Sequence, residues 1–410
     1  MAGNALTVIE TGLQGVEIAM QAVSDNLANS QTTGFHSESA DFATLLGEFV
    51  AGNALGGGVT ASGITRDLSE GAITQTNSPT DMAIQGDGYF VLSNASGAQS
   101  YTRDGQTQLS ANGTLVGFNG DSVMGYTVNA AGVSSGVLGP IVIPQGVLAP
   151  TASTTSTVSG NLDAASPVIA GPINPANPAT YSTSVSVQVY DSLGNSHVLT
   201  YYYQNAGPGV APVAESWNWT ATLDGSAAGL ANNSGTIGFD NTGAIVAGAI
   251  PALPLTAAIA GAVNLSLNLG FAGLTQYAGG TAASGTADGN AVGNPEGVQI
   301  GNNGAVTVSY SNGQTANVAQ VAVASFTAEQ GLQLDGGVFT ATANSGPATV
   351  STAGSGAAGT IQANALESSN VDTTSELVNL VVLQRNYQAN AKALQTEDSI
   401  LGTIIQIQTQ

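Results

Sequence analysis

The chain has 410 residues, 54 glycines, 7% charged side chains against about 25% in an ordinary globular protein, and a formal net charge of −22. Its only permanent cations are Arg66, Arg103, Arg385 and Lys392, so it offers no basic surface to nucleic acid or anionic lipid. There is no cysteine for a disulfide framework or thiolate metal site, no signal-peptide pattern at the N-terminus, and no membrane span, because residues 249–271 are interrupted by Pro251, Pro254, Asn264 and Asn268.

The first element is a helix. Leu6, Ile9, Leu13, Val16, Met20, Val23 and Leu27 alternate steps of three and four, the a/d ladder of a coiled coil. It should stop near Asn29-Ser30, where Gln31-Thr-Thr-Gly34 is turn-like and Gly34 can take the left-handed conformation that closes a helix. Residues 36–74 read as a connecting segment with a second apolar cluster, Phe42, Leu45, Leu46, Phe49 and Val50, followed by Gly56-Gly57-Gly58, where order should lapse.

From about residue 75 the period changes to two. Asp81 to Leu92 reads as strand, glycine turn, strand, and Tyr101-Thr-Arg-Asp-Gly105 and Ala111-Asn-Gly-Thr-Leu115 add hairpin signals. Pro140, Pro144 and Pro150 mark a boundary. Beyond it Val185, Val187 and Val189, then Trp217 and Trp219, then Val263, Leu265, Leu267, Leu269 and Phe271 alternate, each set implying one buried strand face. Residues 204–214, 276–295 and 345–360 are rich in Gly, Ala or Pro and read as loops and a connector, and Asp191 to Asn195 as a hairpin turn. The strand pattern resumes at Gly297.

The last element is again a helix, opened by a Thr373–Glu376 capping box. Its ladder runs Leu380, Leu383, Tyr387, Asn390, Leu394, Glu397, Leu401, Ile404, with six of the eight rungs able to be buried. A seam this narrow cannot hold an isolated helix folded, so the two ends need each other or other copies of the chain. The resulting expectation is a mainly β protein with α-helical termini, in which nested β domains of barrel or sandwich type stand on a coiled-coil terminal domain. The layout is a helical core of 1–35 plus 363–410, a connecting segment of 36–74, an inner β domain of 75–149 plus 291–362, and an inserted outer β domain of 150–290.

Enzyme-like strings lack their context. Gly132-Val-Ser-Ser-Gly136 has no helix pattern after it, and Gly354-Ser-Gly-Ala-Ala-Gly359 has neither the following helix nor the acidic residue of a dinucleotide site. His36 and His197 stand far apart with no evident carboxylate partners, and no calcium-loop spacing occurs. No catalytic residue, cofactor or metal is expected.

Ser24-Asp-Asn-Leu-Ala-Asn-Ser-Gln-Thr-Thr-Gly-Phe35 resembles the N-terminal signature of the flagellar rod and hook proteins, with Asn26, Asn29, Gly34 and Phe35 at its fixed positions. Asn364 to Asp372, with Asn370 and Asp372, and Gln384-Arg-Asn-Tyr-Gln-Ala-Asn390, with Arg385, Asn386 and Tyr387, are similar to the C-terminal signature. The length and large insertion resemble the family's hook members more than its shorter rod members. A distal rod protein is the near alternative; a secreted β-rich adhesin is the alternative from another class. The resemblance implies a homopolymer whose terminal helices line a curved, flexible tube that carries torque from rod to filament. It also implies export without a cleaved signal peptide to an extracellular position in the flagellum. Its implied partners are rod and hook–filament junction proteins, the hook cap and the export apparatus, with no nucleic acid and no membrane insertion.

Overall fold

The two ladders form the two long helices of the computed structural model, α1 (Ala2–Ala28) and α2 (Thr373–Gln408), and among the described residues the regular structure between them is strand apart from two single-turn 3-10 helices. The structure describes residues 2–50, 53–129, 134–246 and 254–408. It divides into a first unit of Met1–Gln145, Gly297–Ser309 and Thr315–Gln410 and a second of Gly146–Glu296 and Tyr310–Gln314.

In the first unit α1 ends at Ala28 in a turn where Asn29 Nδ2 bonds the Asp25 carbonyl at 2.9 Å. Gly34 is left-handed, with φ +67°, but it caps nothing: its N–H crosses to the Glu367 carbonyl at 2.8 Å. The expected lapse at Gly56-Gly57-Gly58 is absent, since these glycines lie within β2 (Asn53–Arg66), which pairs antiparallel with β1 (Glu38–Val50) in a long irregular hairpin. The glycines allow close packing. A Cβ on Gly58 would strike Thr11 Oγ1 of α1, and one on Gly15 of α1 would lie 3.2 Å from the Phe42 ring. The side chains of Leu46, Phe49 and Val50 lie outside the described residues, and Phe42 and Leu45 are exposed.

The β part of this unit shows why local hairpin signals mislead. Met82–Gln85 and Tyr89–Ser93 are both strands, yet they do not pair with each other. Met82–Gln85 pairs with Thr360–Ala363 and Tyr89–Ser93 with Gln99–Thr102, while Ala365–Glu367 pairs with Ile73–Gln75. Burial decides the pairing: Met82, Ala83 and Ile84 are fully enclosed, as are Phe90, Val91 and Leu92, so each strand needs a partner over its whole length. The hairpin predicted around Asn112-Gly113 does form, Thr107–Leu109 with Leu115–Gly117.

The second unit has its own core. An antiparallel sheet of Thr183–Tyr190, Ser196–Pro208, Glu215–Leu223 and Ser234–Phe239 brings Trp217, Trp219, Tyr201, Tyr203 and Phe239 into one cluster with Phe271. The alternating valines 185, 187 and 189 are buried, as are Leu265, Leu267 and Phe271, but Val263 precedes its strand and is exposed. Thr155–Asp163 runs parallel to Leu265–Tyr277 and antiparallel to Ala282–Ala287. Three segments read as loops therefore carry strand: 204–208, 282–287 and, in the first unit, Thr349–Thr352. Their small residues suit close ladders, which is why composition alone misassigns them.

Candidate assembly interface

α2 begins where Asp372 accepts hydrogen bonds from the N–H groups of Thr374 (2.9 Å) and Ser375 (3.3 Å) and from the Ser375 hydroxyl (2.8 Å). The Thr373–Glu376 capping box is not formed. A carboxylate at Asp372 both satisfies free helix donors and faces the positive end of the helix dipole, and its hydrogen bonds hold its own pKa below the usual range. Glu376 is thereby free to accept from Asn26 Nδ2 of α1 at 2.8 Å. Asn26 is buried and fully used: Nδ2 also donates to the Glu38 carbonyl at 2.8 Å, and Oδ1 accepts from the Glu38 N–H at 2.7 Å.

Above this point α1 and α2 pack side by side and antiparallel, close enough that a Cβ on Gly12 would lie 3.3 Å from Asn390 Nδ2. Val23 is buried, and Leu6, Ile9, Leu13, Val16, Met20 and Leu27 are half-buried. On α2 the half-buried rungs are Leu380, Leu383, Asn390, Leu394, Glu397 and Leu401. Tyr387 departs from the ladder at 46% exposure; where the helices approach as closely as Gly12 and Asn390 do, a phenol ring has no room between them. The side chain of Ile404 lies outside the described residues. Apart from buried Val23 and exposed Tyr387 the described rungs of the seam are half-covered, and the back of α2 is open: Leu377, Val378, Val381 and Val382 are all exposed.

The helices join the β domain through a buried ionic cluster. Glu367, wholly buried, places Oε1 3.1 Å from His36 Nε2 and 3.0 Å from the Gly71 N–H, and Oε2 3.5 Å from Arg103 Nη1. Burial pushes the Glu367 carboxyl up, but the His36 hydrogen bond, the Arg103 charge and the Gly71 N–H together hold it below its ordinary value. Asn370 reinforces the joint, accepting from the Ser37 N–H at 2.7 Å and donating to the Asp67 and Ser69 carbonyls. Phe35 receives the Asn370 N–H on its carbonyl. Arg66 fastens the foot of the hairpin: Nε bonds Glu38 at 2.9 Å, Nη1 bonds the Leu332 carbonyl at 3.0 Å, and the guanidinium lies over Phe339.

Three family models match the chain: "Flagellar hook protein FlgE/F/G D1 domain" over 83–161, "Flagellar basal body protein FlaE D2 domain" over 161–290, and "Flagellar basal body rod FlgEFG protein C-terminal" over 362–407. The flagellar hook protein FlgE of Escherichia coli is 35% identical over 406 residues, covering 97% of this chain and 98% of that protein. That of Salmonella typhimurium is 34% identical with the same coverage. The chain belongs to the flagellar hook protein family. Among solved structures, Helicobacter pylori flagellar hook protein FlgE2 is similar at 16% identity and a TM-score of 0.49, over 72% of this chain and 100% of that one.

In this hook-family chain Asn26, Gly34, Phe35 and Asn370 tie the end of α1 and the turn after it to the neighbouring strands and to the segment before α2, Asn29 and Asp372 close the ends of α1 and α2 themselves, and Arg385, Asn386 and Tyr387 are exposed on α2. Sequence reasoning missed Glu367 and Arg103, although both stand inside quoted motifs. It also gave the histidines no carboxylate partners, which the structure corrects: His36 meets Glu367, and His197 Nδ1 lies 2.7 Å from Asp224 Oδ2. Glu367 lies 331 residues from His36, and Asp224 lies 27 from His197, just past the end of Glu215–Leu223; a carboxylate nearer in sequence, Asp191, stands 3.6 Å from His197 Nε2. Among the described residues no cluster of His, Asp or Glu could hold a metal ion, and no helix is long and apolar enough to cross a membrane.

Proposed function

We propose that this chain is the structural subunit of a bacterial flagellar hook, polymerising into a curved, flexible tube that transmits torque from rod to filament. The observation that carries it is the half-covered helix pair: four large apolar side chains lie open along the back of α2, a surface that monomeric proteins seldom keep and that a polymer core buries. An open, non-closing contact of this kind generates a helical tube. In this reading residues 1–35 and 363–410 form the tube's helical core, 36–74 brace it, 75–149 plus 291–362 form an inner β layer, and 150–290 an outer one. The role is structural and not enzymatic. Its partners are further copies of itself, rod and hook–filament junction proteins, the hook cap and the export apparatus, and its place is extracellular, reached without a cleaved signal peptide. Electron microscopy of polymer grown from purified protein tests this: curved tubes are expected, straight ones point to a rod protein, and failure to polymerise overturns the proposal.

A further inference from the structure

We propose that Asn112 is a site of spontaneous covalent modification, where the Asn112-Gly113 turn of the first unit deamidates to aspartate or isoaspartate. The chain has four Asn-Gly pairs, at Asn112, Asn119, Asn303 and Asn312, and a glycine leaves the preceding side-chain amide sterically open to the next backbone nitrogen. The backbone is alike at all four. Gly113, Gly120, Gly304 and Gly313 have left-handed φ between +76° and +83°, and each N–H donates to the carbonyl three residues back at 2.8–3.0 Å. The asparagine side chains differ. Asn119, Asn303 and Asn312 each accept on Oδ1 the N–H two residues on, from Asp121 at 3.0 Å, Ala305 at 3.1 Å and Gln314 at 3.0 Å. At Asn112 the corresponding donor, the Thr114 N–H, is taken by Ser110 Oγ at 3.1 Å. Asn112 is exposed, and its side chain makes no hydrogen bond among the described residues.

An amide held by nothing is free to turn its Cγ to the Gly113 nitrogen. That nitrogen bonds Cγ and gives up its proton to water, the Cγ–Nδ2 bond breaks, and the amide leaves as ammonia. One water molecule then opens the resulting imide ring at either carbonyl, giving aspartate or, where the main chain is rerouted through Cγ, isoaspartate. At the other three pairs the bond from Oδ1 to the N–H two residues on fixes the side chain and must break first. The isoaspartyl product carries one extra carbon in its main chain, and the turn has little room for it. Gly113 is buried, its carbonyl accepts the Ile143 N–H at 2.7 Å, and a Cβ on it would lie 2.6 Å from the Ile143 carbonyl oxygen. The lengthened chain must give up that contact or shift the hairpin of Thr107–Leu109 with Leu115–Gly117, whose Leu115 is fully buried.

Mass spectrometry of the full chain, aged in mildly alkaline buffer and digested with pepsin, tests this and needs no polymer. The mass gain of amide turned to acid should accumulate at Asn112 at least tenfold faster than at Asn119, Asn303 or Asn312, and fragmentation should identify isoaspartate there. In urea, where no side chain is held, the four rates should come within about threefold of one another. Ser110→Ala returns the Thr114 N–H to Asn112 Oδ1 and should slow Asn112 at least threefold while leaving the other three sites unchanged; circular dichroism checks that the variant folds, and if it does not, the comparison of folded with urea-unfolded parent decides alone. Equal rates at the four sites in the folded chain, a lead for Asn112 that persists undiminished in urea, or a folded Ser110→Ala chain that deamidates at Asn112 as fast as the parent would overturn the proposal.

Discussion

Replacing Glu367 by alanine should unfasten the first unit while leaving the second untouched. The change strips the buried Arg103 guanidinium, 3% exposed, of its only counter-ion among the described residues and leaves the Gly71 N–H and His36 Nε2 without their acceptor. Removing one partner of a buried pair costs about 3–5 kcal/mol. Because the Arg103 contact is long at 3.5 Å, the lower end, about 3 kcal/mol, is the expected loss. Glu367→Gln, which keeps an acceptor and the volume, should lose about 1–2 kcal/mol. The chain supplies its own control, since both tryptophans, Trp217 and Trp219, are buried in the second unit's core. Urea unfolding followed by circular dichroism should show a component whose midpoint falls by about 1 M or more, while tryptophan fluorescence reports an unmoved transition. Since Glu367 has a folded pKa below its unfolded value, its contribution is present above the carboxylate range and is lost as pH falls through the lowered value. Parent and Glu367→Gln should therefore converge on acidification. A loss under about 1 kcal/mol at neutral pH, or an equal shift in the tryptophan signal, would refute the assignment of the cluster as the joint.

Leu13→Asp or Leu394→Asp should abolish sedimentable polymer while leaving the tryptophan-reported melt unchanged, because each buries an unpaired carboxylate in the helical seam. Gly34→Ala should lower the stability of the first unit by about 2 kcal/mol or more in urea titrations, as its Cβ would lie 2.6 Å from the Arg103–Asp104 backbone at a φ of +67°. Asp288, held down to about 2 against the raising effect of burial by hydrogen bonds from Thr154 and Thr155, is exposed, so Asp288→Ala should cost the second unit only about 1 kcal/mol. That contribution should fade as pH drops from about 4 toward 2 and be visible in tryptophan fluorescence. Added salt should lower the polymerisation threshold at neutral pH by screening the formal charge of −22 per subunit; a threshold that stays flat or rises in sedimentation would count against it.

Periodicity was enough to read the helices, the buried faces of the second unit's strands and the mainly β class, because each depends on residues a few positions apart. Leu6 to Leu27 needed no knowledge of α2 to be seen as a seam, and Trp217 and Trp219 had to share a face whatever covered it. Motif spacing likewise marked Asn26, Gly34, Asn370 and Asp372, though not what they do. Pairing was another matter. Met82–Gln85 takes Thr360–Ala363 as its neighbour instead of the strand a turn away, the glycines at 56–58 belong to a hairpin laid along α1, and Glu367 meets His36 and Arg103 only because Ala365–Glu367 pairs with Ile73–Gln75. Such choices are set by which arrangement encloses the most apolar surface and leaves no buried charge alone, a property of the whole chain. A carboxylate's neighbours in space are therefore written in no local stretch of it.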